Sequence, residues 1–211
     1  MKLHISNGNT KIEAIPNVSL TPIKSCKCGV PCSKGCYAMK FYKMYPSVKK
    51  AWDDNLDLWE EDKMKFFNEI YSFLAKKNPW GFRWFVGGDI PSAEFFSMMC
   101  KIAEEFPNTQ FLAFTKQHEI VNECVWEWEW ASCTNNVEDI IPSNLHLIFS
   151  GWGENFKIDN PHNFPTSQVI FKGEEPRPEW KICGGNCTDC KCRGVGCWEL
   201  KYGETIAFYE H

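Results

Sequence analysis

A chain of 211 residues is long enough for one compact domain with a small appendage, and it buries about 70% of its unfolded surface without cross-links. The formal charge of −4 argues against a nucleic-acid-coating surface, and 44% hydrophobic residues with 10 Trp, 6 Tyr and 16 Phe exclude a disordered chain. No run of apolar residues reaches membrane-spanning length, so no membrane partner is expected.

Residues 1–25 read as an extended lead-in, with a short strand at Asn17 to Leu20 stopped by Pro22. A loop rich in Gly29, Pro31 and Gly35 follows. Ser47 then caps a helix through Trp52, Leu56 and Trp59, and Phe66, Phe67, Ile70, Phe73 and Leu74 mark a second helix ended by Asn78-Pro79. A strand is predicted over Arg83 to Val86, stopped by Gly87-Gly88. Ser92 to Phe106 is an amphipathic helix with Phe95, Met99, Ile102 and Phe106 on one stripe. Further strands are predicted at 110–114, 145–149, 169–171 and 205–208. Residues 124–142, with the alternating Trp126, Trp128 and Trp130, read as a helix or an inserted hairpin. Strands alternating with helices point to a parallel sheet with crossover helices.

Twelve cysteines are the strongest chemical signal. Met1 to Asn9 lacks the apolar stretch of a signal peptide, so a reducing cytoplasm is expected, where clustered cysteines mean metal or catalysis rather than disulfides. Four lie in one loop (Cys26, Cys28, Cys32, Cys36) and five in another (Cys183, Cys187, Cys190, Cys192, Cys197). Three or four thiols in a single loop suit a [4Fe-4S] cluster; structural zinc, which usually takes ligands as two close pairs, is the alternative. In the second loop Cys183, Cys187, Cys190 and Cys197 are the expected ligands and Cys192 the spare. A zinc knuckle is the competing reading there, although Lys191 and Arg193 are thin for nucleic acid.

Other candidates are weaker. Gly87-Gly88-Asp89 sits between a strand and a helix, where glycines let a ligand approach the backbone and Asp89 offers an acceptor to an ammonium; a plain capping turn is the alternative. Lys116 and Ser150 also follow strands, so Lys116 could contact an anion and Ser150 a ribose hydroxyl, with Trp152 stacking on a base. His162 could serve as acid, base or ligand. His146 and Cys100 read as structural, and Cys124 and Cys133 do not define a site.

The cysteine loop closing on Cys36-Tyr37-Ala38 resembles the radical SAM superfamily, and within it the phage-borne gene-product-88 family. The likeness extends to Arg83 through Pro91, to Phe111 through Lys116, to Asp159 through Asn163, and to the cysteines before Cys197-Trp198. It implies an α/β fold: an incomplete barrel of about five or six mainly parallel strands over 1–180, with a cysteine-rich module over 181–211. It further implies a first cluster on Cys32, Cys36 and either Cys28 or Cys26, with one iron open to S-adenosylmethionine, and Gly87, Gly88, Asp89 and Ser150 around that cofactor. This sequence departs from the superfamily pattern in the last cysteine gap, three residues rather than two, and in Asp89, where Glu is usual. If Cys26 and Cys28 both bind, no iron is open. The expected activity is thus reductive cleavage of S-adenosylmethionine, with an iron–sulfur electron carrier or regulator as the alternative and a zinc-stabilised binding module as the third reading. An electron donor protein and a cytoplasmic site in a bacterial host follow from the same resemblance; the substrate is not legible.

Overall fold

The computed structural model describes residues 1–9, 12–27, 29–134, 136–153 and 156–210. Its centre is one sheet of seven strands: β1 (Asn17–Val18), β2 (Gly81–Trp84), β3 (Gln110–Thr115), β4 (Leu145–Ser150), β5 (Thr166–Ile170), β6 (Lys181–Ile182) and β7 (Thr205–Tyr209). Every pairing is parallel, and the spatial order is β1-β2-β3-β4-β5-β7-β6. The first five strands step in one direction, so right-handed crossovers place their helices on one face. Those helices are α1 (Tyr37–Met44), α2 (Pro46–Glu61), α3 (Lys63–Lys77), α4 (Ala93–Glu105) and α5 (His118–Ser132). A sixth, α6 (Cys187–Cys192), lies between β6 and β7. The α/β class and the parallel sheet are as the sequence predicts; the strand count is seven, and the sheet is open, with β1 and β6 at its edges.

Strand alternation divides the core in two. Phe82, Trp84, Phe111, Ala113, Leu145, Leu147 and Phe149 point to the helices and pack with Trp59, Phe66, Phe67, Phe95 and Val125. Leu112, Ile148 and Ile206 point the other way, under Ile12, Ile15, Cys197 and Trp198. Residues 181–210 therefore contribute two strands to the common sheet and cover its face opposite α1 to α5. Trp198 is 1% exposed and its ring lies 5.3 Å from Trp80 and 5.9 Å from His146.

Local chemistry accounts for the helix ends. Ser92 caps α4 by accepting from the Phe95 amide at 3.2 Å. Pro46, rather than the predicted Ser47 cap, opens α2, its fixed φ suiting the first turn. The tryptophan alternation belongs to α5: Trp128 turns inward against Phe96, ring centroids 5.5 Å apart, while Trp126 and Trp130 face outward. Among the described residues, no helix is long and apolar enough to cross a membrane.

Candidate functional site

In a parallel sheet all strands end at the same rim, where ligand sites form. The first cysteine loop follows β1, Gly87-Gly88-Asp89 follows β2, Lys116 follows β3 and Ser150 ends β4, so the sequence candidates of the first 150 residues share that rim.

Three contacts fold the cysteine loop over the end of β2. Ser25 Oγ accepts from the Asp89 amide at 3.3 Å and donates to the Thr21 carbonyl at 2.9 Å. Tyr37 Oη donates to the Val86 carbonyl at 2.8 Å. Lys27 pairs with Glu119 at the start of α5, 2.8 Å away. Gly88 makes the close approach: its φ is +86°, and a methyl there would lie 2.6 Å from Ser25 Oγ and 2.8 Å from the Leu20 carbonyl oxygen.

Cys26, Cys32 and Cys36 come together in this fold and feel one another, Asp89 and, at Cys32, Lys116. Burial pushes the Cys26 thiol up to about 12, with the Asp89 charge adding to it. Burial also raises Cys32, and Lys116 opposes that rise. Such thiols are poor nucleophiles; a cationic centre is what would hold them as thiolates. Cys28 lies outside the described residues.

Asp89 is 5% exposed. Its Oδ1 accepts from Thr115 Oγ1 at 2.6 Å and the Ile90 amide at 2.8 Å, and its Oδ2 from the Lys116 amide at 2.8 Å. Burial raises its pKa and these donors offset the rise. The carboxylate thus clamps the end of β3 to the turn after β2, and one further lone pair of Oδ2 faces no partner among these bonds. Ser150 ends β4. Its Oγ accepts from Ser167 Oγ at 3.3 Å, and it neighbours His118, whose pKa burial lowers to about 4. Lys116 Nζ lies 6.0 Å from the Trp152 ring centroid.

The second thiol set lies on the sheet face opposite α1 to α5. Cys183 follows β6, and its amide bonds the Ala207 carbonyl at 2.9 Å. Its sulfur accepts from the Gly185 amide at 3.4 Å. Cys197 is buried against Cys183 and Cys187, and burial together with Cys183, Cys187 and Cys190 raises its thiol pKa strongly. Gly196, with φ +78°, admits Cys190: a methyl there would be 3.0 Å from Cys190 Cβ and Sγ. Cys192 is exposed. Among the described residues, no three His, Cys, Asp or Glu side chains converge tightly enough to hold one metal ion between them.

Sequence reasoning did not single out Arg83. It lies between Phe82 and Trp84, which face the helices, so alternation turns it to the other face. Its guanidinium carbon sits 5.1 Å from the Phe114 ring centroid, and its Nε is buried with no hydrogen-bond partner. Its charge acts on Tyr37 beside the first thiols and on Cys197 among the second. A charged residue at the centre of an apolar strand was the available signal.

No curated protein and no solved structure matches the chain. The family model described as Gene product 88 matches residues 2–202. That match takes in both thiol sets, Arg83 and the whole rim from β1 to β4, and on it the chain belongs to the Gene product 88 family.

Proposed function

We propose that the protein is an iron–sulfur protein of radical SAM type. It carries one [4Fe-4S] cluster on Cys32, Cys36 and either Cys26 or Cys28 and a second on Cys183, Cys187, Cys190 and Cys197, and it cleaves S-adenosylmethionine reductively. The supporting observation is the convergence of the first three thiols with Asp89 and Lys116 at the carboxyl rim of a singly wound parallel sheet. The donor set fits the group. A tetrahedral zinc at 2.3 Å from each sulfur needs sulfurs roughly 3.8 Å apart. A cubane gives each thiolate its own iron, so its ligands stand farther apart than those of a single zinc.

When bound, a cluster with an iron free of protein ligands supplies the electron for sulfonium cleavage. The chain's own residues do the rest. Ser25, Lys27 and Tyr37 fix the loop. Gly87 and Gly88 leave backbone room beside it. The free lone pair of Asp89 would take a substrate ammonium, and Lys116 would balance negative charge near Cys32. Ser150 would bond a ribose hydroxyl, and Trp152 would stack on a base. Residues 181–211 would act as the module for the second cluster, fed by an electron donor protein in the reducing cytoplasm of a bacterial host.

One observation favours an electron carrier or regulator instead: Asp89 already accepts three hydrogen bonds from the protein. Anaerobic reconstitution with iron and sulfide analysis, followed by EPR with and without S-adenosylmethionine, separates the readings. A shifted signal and 5′-deoxyadenosine establish the enzyme. A reducible cluster that ignores S-adenosylmethionine establishes the carrier. Zinc without labile sulfide overturns both.

A further inference from the structure

Away from the thiol sites, the 159–163 segment docks on the outer face of α5. Asn122 Nδ2 donates to the Asp159 carbonyl at 3.1 Å. The segment carries His162 to Glu129, Nδ1 to Oε1 3.4 Å, with side chains only 7% and 17% exposed. The Trp126 ring lies 5.5 Å from the imidazole. One turn on, Trp130 is 88% exposed. Trp126, Glu129, Trp130 and Cys133 line an open cavity of about 580 Å³.

The formal charges on α5 have one sign. Helix α5 contains Glu119, Glu123, Glu127 and Glu129 and no Lys or Arg. The cavity sits at the helix C-terminal end, where the backbone dipole is negative and a basic residue is favoured; none is present in the last turn. Glu129 is largely desolvated, with His162 as its ion-pair neighbour. Indole faces are themselves negative and attract cations within about 6 Å of the ring. The Trp130 indole is 88% exposed, so its face is open to a ligand from solvent.

We propose that this cavity binds a small organic cation, an alkylammonium group held between the indoles of Trp126 and Trp130 against the Glu129 carboxylate. The proposal uses none of the cluster ligands and stands independently of the iron–sulfur reading.

The test is saturation-transfer NMR on the full chain with tetramethylammonium chloride at constant ionic strength, using tert-butanol as the neutral counterpart. Saturable millimolar binding of the cation and none of the alcohol is expected. Glu129→Gln should weaken binding about tenfold, and Trp130→Ala about threefold or more. Melting curves accompany both variants; Trp130 is at the surface, so its variant decides if Glu129→Gln fails to fold. Absence of saturable cation binding, equal binding of tert-butanol, or a Trp130→Ala protein that binds as well as the parent would overturn the proposal.

Discussion

Tyr37 Oη donates to the carbonyl of Val86 across 2.8 Å, tying the first residue of α1 to the turn after β2. The bond lies at the surface, so its net worth is about 1 kcal/mol or less, but it holds the helix that directly follows Cys36. Tyr37→Phe should leave the melting temperature within a few degrees of the parent. In metal-free protein it should speed alkylation of the first thiol loop severalfold, read by mass spectrometry of the modified peptides.

The two thiol sets are on different segments and share no ligand. With both loaded, the chain should carry on the order of eight irons. Cys36→Ala should remove about half, with any response to S-adenosylmethionine, and leave the C-terminal set intact. Cys190→Ala should remove the other half. Iron and sulfide analysis with EPR checks this; loss of both signals from either change would point to one shared site.

From the middle of β2, Arg83 acts on Cys197 of the second set and on Tyr37, the neighbour of Cys36. A cation nearby favours the more negative, reduced state of a cluster. Arg83→Met should therefore lower the midpoint potential of the second cluster in an EPR-monitored titration, whereas a purely packing role would leave it in place.

Gly88 and Gly196 are positions where a methyl has nowhere to go. At Gly88 the obstacle is the Leu20 backbone, and at Gly196 the Cys190 side chain; both have positive φ. Each alanine substitution should cost about 1–3 kcal/mol, measured by urea unfolding. Gly88→Ala should disturb the first thiol loop and Gly196→Ala the second, separable by their iron content.

His118 is 3% exposed, stacked on Phe149 with centroids 4.7 Å apart, and its pKa falls to about 4 through burial. Unfolded, it would titrate near 6.5. Between those values the unfolded chain binds the proton and the folded chain does not, so stability is complete above about 6.5 and declines as the pH falls toward 4. The loss is at most about 3 kcal/mol. Urea midpoints at pH 7.5, 6 and 5 should show it, and His118→Phe should flatten the slope.

Much of the sheet was legible because its residues carry period-two or helical patterns. Phe95, Met99 and Ile102 mark α4, and the apolar runs in β3 and β4 mark buried strands. Where packing supplies no pattern, the sequence was silent. Helix α1 exposes Tyr37, Phe41 and Met44, and β6 is two exposed residues placed only by its pairing with β7. The alternating tryptophans mimic a strand, yet a helix distributes them between Phe96 and solvent. Cysteine spacing marked the two local clusters of thiols, since residues of one short loop stay near one another. The role of Arg83 depends on which way β2 faces, and only the assembled sheet shows that.

The strand order also bears on how the protein matures during synthesis. β7 lies between β5 and β6, although it leaves the ribosome after both. Until it arrives, β5 presents an unpaired edge, and β6 with the helix of Cys187 to Cys192 has no sheet to rest on. Assembly of the second thiol set thus waits on β7. A chain lacking 205–209 would expose a strand edge prone to association with other chains.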